Sequence, residues 1–305
     1  IPTADFKICQ NINDIKLFLK KNTMPIVVKA DGLAAGKGVT ICKSSSELIK
    51  VSKEIFSGKF KSSKKLVLEE FLSGEEASYF SIVDRKGFLC MGTAQDHKRV
   101  GENETGPNTG GMGAYSPAPI INKSIERKIL TRIIQPTLSY LKKKNKPFTG
   151  FLYTGLMIKN SNPYLIEYNI RMGDPECQVI MERLNTDLMK IIELSLENKL
   201  NKFKIKWRKD KCMTVVLCAK GYPGIYKKRL PIKNLDKIKL DKNSKIFHAG
   251  TILKENKLLS NGGRVLSITS RGKKLKNVKK KIYKIIKKIN WKKGFYRKDI
   301  GWRVL

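Results

Sequence analysis

Apolar positions recur along the chain with two periods. Ile12, Ile15, Phe18 and Leu19 are spaced for one face of a helix, and so are Leu48, Val51 and Ile55. Ser44 and Glu47, just ahead of the second group, form the pattern of a capping box. "PIVVKA" (Pro25–Ala30), "VTIC" (Val39–Cys42), "KLVLEEFL" (Lys65–Leu72) and "ASYFSIV" (Ala77–Val83) predict strands. A helical stripe returns over 123–144 with Ile125, Ile129 and Ile133. "FLYTGLMI" and "YLIEYNI" predict a strand pair across the turn residues Asn160–Pro163, and two helical segments follow between Pro175 and about Leu200. The texture turns basic and polar at "NKFKIKWRKDK" (Asn201–Lys211), which predicts a domain boundary. Beyond it, the strands "MTVVLCA" and "RVLSITS" and a helix striped with Leu275, Val278, Ile282, Ile285 and Ile289 predict a small α+β domain. One stretch keeps no period: "GENETGPNTGGMGAYSPAP", Gly101–Pro119, reads as a long loop. Long irregular loops inside compact domains usually carry function.

A chain of 305 residues with 41% apolar and 29% charged residues is that of a globular protein with room for two or three domains. No apolar run approaches the length of a membrane span, and no leader pattern opens the chain, so the expectation is a cytoplasmic protein with no membrane partner. Six scattered cysteines without a Cys-x-x-Cys pair point to reduced thiols rather than a zinc site or a disulfide framework. Charge is the outlier: 63 Lys+Arg stand against 26 Asp+Glu, a net +37. Lysines occupy every predicted solvent face, as in "KKLKNVKKKIYKIIKKI", with Tyr283 as the lone interleaved aromatic. That pattern is compositional rather than a stacking platform for a nucleic acid, and no specific nucleic-acid partner is expected.

The chemistry begins in "KADGLAAGKGV", Lys29–Val39. It is not a P-loop: three residues rather than four separate Gly32 from Gly36, Lys37 precedes Gly38 instead of Ser or Thr, and a strand follows instead of a helix. A Gly-rich turn between two strands can instead fold over a polyphosphate, with backbone N–H groups and Lys37 meeting the oxygens and Lys29 fixed on the strand before it. A lysine about 4 Å from a phosphate charge contributes roughly 4 kcal/mol at an effective dielectric of about 20, before desolvation. Four carboxylates crowd the connector "EEFLSGEEAS" (Glu69–Ser78). In "LIEYN", Glu167 and Asn169 lie two apart on a strand and so project to one face, offering hard oxygens suited to Mg²⁺ on phosphates.

These stretches, with "QDHKRVGENETGPNTGGMGAYSPAP", "TGFLYTGLMI", "IEYNIRMGDPE" and "FHAGT…NGGRVLSIT", resemble the glycinamide ribonucleotide synthetase family of the ATP-grasp superfamily, along the whole chain. The resemblance implies an α+β ATP-grasp fold: a lid subdomain over 1–70, a central subdomain over 71–204, and a C-terminal α+β domain over 205–305. It implies an ATP-dependent ligase of purine synthesis that joins glycine to 5-phosphoribosylamine through a glycyl phosphate, with Mg²⁺ or Mn²⁺, in a monomer. Lys29, Gly36, Lys37 and Gly38 would hold the phosphates. Glu69, Glu70 and Leu72 would sit by the adenine, Glu76 by the ribose, and Glu167 and Asn169 on the metal. Arg171, Lys37 and Asp96 would act in catalysis, and Asp96, Lys98, Arg171 and Asp174 would contact the substrates. His97 is read as a structural hydrogen-bonder and His248 as packing. The family's N-terminal α/β domain precedes the position where this sequence starts, so the expectation is a chain lacking it. Two other readings stay open at this point: an ATP-binding remnant without turnover, and a basic nucleic-acid-binding protein.

Overall fold

The computed structural model describes every residue except 33–37 and 61–63. Two compact units divide it: Ile1–Glu75 with Met157–Ile166, and Glu76–Leu156 with Glu167–Leu305.

The first unit runs β1 (Phe6–Cys9), α1 (Ile12–Leu19), β2 (Ile26–Ala30), β3 (Val39–Cys42), α2 (Ser45–Phe56) and β4 (Leu66–Glu70). Its four strands pair antiparallel in the order β1-β4-β2-β3. Alternation along β2 and β4 puts Ile26, Val28, Leu66 and Leu68 on one face, all fully buried, and α1 and α2 cover them with Ile15, Phe18, Leu48 and Ile55. The Ser44 half of the predicted capping box is present: the Glu47 N–H donates to Ser44 Oγ at 3.2 Å. The Glu47 carboxylate reaches past the cap to accept the Lys43 N–H at 2.8 Å. Lys29 pairs with Val39 across β2 and β3. Within the turn that these two residues bracket, Gly36 and Lys37 lie outside the described residues.

The second unit continues with β5 (Glu75–Val83), β6 (Phe88–Asp96), β7 (Arg99–Gly101), β8 (Thr105–Asn108) and β9 (Gly113–Ser116). Helices α3 (Lys123–Ile129) and α4 (Gln135–Lys143) follow, joined by a π turn, then the strands β10 (Gly150–Lys159) and β11 (Asn162–Asn169). The hairpin tip, 157–166, belongs to the first unit. Next come α5 (Glu176–Arg183), α6 (Leu188–Leu196), β12 (Lys211–Ala219), β13 (Ser244–His248), β14 (Thr251–Lys254), β15 (Lys257–Ser260), β16 (Arg264–Gly272), α7 (Leu275–Ile286) and β17 (Gly294–Phe295). One sheet runs β11-β10-β5-β6-β9-β12-β16-β13, with β17 also on β12. α5 packs Val179 and Ile180 against Phe80, Met91 and Ala114 of this sheet, and α7 packs Val278 and Ile282 into a second cluster with Val215 and Ile268.

Two expectations need correction. The stretch 101–119 is not a plain loop, because it contains β9, a strand paired on both sides with β6 and β12 and buried at all four residues. "GAYS" has no β-branched residue to announce it, so its extended state comes from its two neighbours. His248 is exposed rather than packed, its Nδ1 2.9 Å from Thr251 Oγ1.

Candidate active site

The strand-to-strand connector places the acidic run in two settings. In the first unit Glu69, near the end of β4, forms an ion pair with Lys29 of the adjacent β2 at 2.7 Å, and Lys29 Nζ also donates to the Ile166 carbonyl at 3.3 Å. The Glu70 carboxylate accepts the Asp5 N–H at 3.4 Å, and Leu72 is buried. Lys29, expected at the phosphates, and Glu69, expected by the adenine, are therefore direct neighbours. Gly38 is buried, and the Ala30 N–H donates to its carbonyl at 2.9 Å.

In the second unit β10, β5 and β6 lie side by side and bring a charged cluster together. Period-two alternation puts Glu76 and Ser78 on one face of β5. Lys98, just past the end of β6, forms a short ion pair with Glu76. Loss of water works against the charge on Lys98, but Glu76 and then Asp96 hold its ammonium protonated well above the ordinary range. Burial raises Asp96, with Lys98 opposing. Ser78 Oγ lies 3.1 Å from Glu176 Oε1 and 3.2 Å from the Tyr153 hydroxyl of β10. Glu176, first residue of α5, is 4% exposed. Burial first, then the charge of Asp96, pushes its carboxyl up to about 7.

At the end of β11, Asn169 Nδ2 donates to Glu167 Oε1 at 3.2 Å. The two side chains share a face, as their spacing predicts. That contact turns the amide nitrogen inward and leaves Asn169 Oδ1 and a carboxylate oxygen of Glu167 for a ligand. Gly155 on β10 backs the pair: a Cβ there would come within 3.1 Å of Glu167 Cγ. Among the described residues no group of three or more His, Cys, Asp or Glu forms a metal cage. One carboxylate and one amide are the donor set that fits Mg²⁺, which keeps waters and takes its remaining ligands from substrate phosphates. Arg171 follows on an exposed turn, with Nη1 donating to the Met172 carbonyl at 3.0 Å. Asp174 is engaged by Arg264, Nη2 to Oδ2 at 2.9 Å, and by Gln178 Nε2 at 3.0 Å.

Residues that sequence reasoning missed support this arrangement. Arg264 donates from Nη1 to the carbonyls of Gly110, at 2.5 Å, and Asp174, at 2.6 Å, so one guanidinium ties the glycine-rich block to the 171–174 turn. The "NGGR" motif marked its position but not its reach. Arg297 is 1% exposed; it donates to Glu104 Oε1 at 2.9 Å, Asp299 Oδ2 at 2.7 Å and the Arg99 carbonyl at 2.9 Å. His97, fully buried, sets Nδ1 2.9 Å from the same Glu104 oxygen, and its Nε2 accepts the Gly301 N–H at 2.9 Å. That second bond fixes the tautomer with the proton on Nδ1, so His97 serves as the structural hydrogen-bonder expected. Burial raises Glu104, but the hydrogen bonds from His97 and Arg297 outweigh it and hold the carboxyl down at about 2.

Comparison with known proteins agrees with these motifs. Residues 1–177 match the phosphoribosylglycinamide synthetase ATP-grasp (A) domain, and residues 212–303 match the C domain of the same synthetase. The phosphoribosylamine–glycine ligase of Agrobacterium fabrum is 45% identical over 306 residues, covering 100% of this chain and 72% of its own length. The chloroplastic ligase of Arabidopsis thaliana is 45% identical over 311 residues, covering 100% of this chain and 58% of its own. A crystal structure of the phosphoribosylamine–glycine ligase from Thermotoga maritima matches with a TM-score of 0.87 at 34% identity, over 98% of this chain and 74% of that one. The biotin carboxylase domain of Hydrogenobacter thermophilus 2-oxoglutarate carboxylase, solved with MgADP and bicarbonate, matches at a TM-score of 0.71 and 14% identity, over 95% of this chain and 63% of its own, and so shares the fold alone. On its motifs, its α+β architecture and its matches across both domains, this chain belongs to the phosphoribosylamine–glycine ligase family of ATP-grasp ligases.

Proposed function

We propose that the ligase reaction of this family is carried out here by the residues just described, with Glu167 and Asn169 as the metal ligands. The family reaction is ATP-dependent ligation of glycine in purine synthesis. ATP phosphorylates the glycine carboxylate; the amine of 5-phosphoribosylamine then attacks the acyl carbon. A C–N bond forms, the C–O bond to phosphate breaks, and the amine gives up a proton. ADP, phosphate and glycinamide ribonucleotide leave. A bound divalent cation supplies charge neutralisation on the phosphates. Most of the remaining work is positioning and electrostatics, because a carboxylate is a poor nucleophile towards an anionic phosphoryl group.

In this reading Lys29, Gly36, Lys37 and Gly38 meet the phosphates. Glu69, Glu70 and Leu72 border the adenine, and Glu76 takes the ribose. Arg171 clamps the glycine carboxylate or the transferred phosphoryl group. Asp96 receives the glycine ammonium, with Lys98 and Asp174 as further substrate contacts. The observation that carries the metal assignment is the Asn169–Glu167 hydrogen bond, which aims two hard oxygens from one strand face. We also read the division into 1–70, 71–204 and 205–305 as functional subdomains, Mg²⁺ or Mn²⁺ as the cation, and a cytoplasmic monomer as the working form. No helix among the described residues is long and apolar enough to cross a membrane.

The test is ADP release with ATP, Mg²⁺, glycine and phosphoribosylamine. Release that requires both glycine and the amine, one ADP per amide formed, is the expected result. ATP binding with no release would favour the remnant reading, and release indifferent to glycine would overturn the proposal.

A further inference from the structure

The cluster in the second unit carries more negative groups than its cations balance. Three carboxylates, Glu76, Asp96 and Glu176, converge with one ammonium, Lys98, and Lys98 is committed to Glu76 by a short ion pair. Among the described residues, the nearby guanidinium groups are engaged elsewhere: Arg171, on its exposed turn, donates to the Met172 carbonyl, and Arg264 holds Asp174 and the Gly110 carbonyl. Ser78 and Tyr153 are hydroxyls, and His97 is turned away into its bonds with Glu104 and Gly301. The strand register pairs Ser78 with Ala94, which sets Asp96, half-buried, on the same sheet face as Glu76 and the Ser78 that Glu176 meets. Carboxylates crowded on one face do not all ionise without a cation, so one proton stays with Asp96 and Glu176.

Glu176 is built for a defined role beside that pair. Its carboxyl fills the space where a Cβ on Gly173 would stand, with Oε1 2.9 Å and Cδ 2.6 Å from that position. It therefore lies directly under the turn that carries Arg171 and Asp174. Its hydroxyl partner Ser78 comes from the same strand face as Glu76. Burial and Asp96 place its titration near pH 7, inside the working range of a cellular enzyme.

We propose that Glu176 is a positioning residue of the amino-acid site, holding with Asp96 a single proton that leaves when the glycine ammonium docks against Asp96. The ammonium then does what the proton did: it neutralises one of the two carboxylates. The balance is one cation in, one proton out to solvent, with no bond to carbon made or broken. This rests on the reading that Asp96 receives the glycine ammonium. It adds a residue, Glu176, and a stoichiometry that the reading does not contain.

Glycine binding in the presence of a non-hydrolysable ATP analogue and Mg²⁺ tests it, by calorimetry in two buffers of different ionisation enthalpy across pH 6 to 8 (about one unit either side of the midpoint). The expected result is release of close to one proton below the midpoint. The glycine dissociation constant should fall about tenfold per pH unit there and level off above it. Glu176→Gln, which keeps the shape but cannot ionise, should flatten that dependence, whereas Glu176→Asp should restore a pH-dependent profile. A purely structural role would weaken binding equally at every pH. Carbon-13 spectra of labelled glutamate give a second readout: the Glu176 carboxyl, identified by its loss in Glu176→Gln, should titrate near pH 7 and shift downward when glycine is added. Wild-type binding without proton release, or a Glu176 midpoint in the ordinary carboxylate range, would overturn the inference. Asp96→Asn separates the two levels. If it leaves glycine affinity unchanged, the reading of the ammonium site fails. If it weakens glycine while Glu176→Gln leaves the pH profile intact, only the role of Glu176 fails.

Discussion

Glu104 shows how one side chain ties a functional block to the rest of its unit. Its carboxylate is shared by His97 and Arg297, and the same Arg297 holds Asp299 and the Arg99 carbonyl. A carboxyl held at about 2 against an ordinary 4.5 gives stability that is fully present above pH 4.5 and is lost as pH falls towards 2. Acid unfolding followed by circular dichroism should therefore be steep in that window. Glu104→Gln should flatten it and lower stability at neutral pH, where the deleted charge leaves the buried Arg297 underpaired. Arg297 was hidden in the sequence for a physical reason: among 63 basic residues, nothing local distinguishes the one that is buried. Glu176 was hidden similarly, because an acid in the first turn of a helix reads as dipole complementation. Glu167 and Asn169 were legible because two-residue spacing on a strand has one geometric consequence.

At the scale of elements, boundaries set by local chemistry were the readable ones. The Ser44 cap, the β10–β11 hairpin and the stripe of α7 from Leu275 to Ile285 follow from periodicity and turn residues, although the turn is confined to Asn160 and Ser161, with Pro163 already in β11, and Ile289 lies past the end of α7. What escaped was β9, whose extended state is imposed by β6 and β12. Removing the hydroxyl in Ser44→Ala should cost about 1 kcal/mol of stability, measured by denaturant unfolding. Truncating the fully buried Ile282 of α7 to Ala should cost about 2–5 kcal/mol, since it leaves a cavity in the cluster under β12 and β16. Gly173→Ala places a methyl on the Glu176 carboxyl. The expected outcome is a folded protein, by the same denaturant measurement, whose kcat/KM for glycine falls at least about tenfold, the scale on which residues behind a metal or reactive group act.

Across the molecule, the family was legible because its motifs are long and spread over the chain, and the matches to both A and C domains agree with them. The net charge of +37 carried no such message. Polyanion binding driven by charge alone should weaken linearly in log Kd against log salt and show no preference among sequences; a sequence preference that persists at high salt would contradict a compositional origin. Nucleotide should stabilise the chain by about 2.7 kcal/mol at a hundredfold excess over its Kd, read as a rise in Tm, and that gain should depend on divalent cation. In Glu167→Gln the cation-dependent part should disappear. The most direct measurement is a crystal structure with ADP and Mn²⁺, read by anomalous scattering. The account predicts a manganese peak bound by Glu167 and Asn169 and bridging to the phosphates; a peak elsewhere, with those two side chains still bonded only to each other, would contradict it.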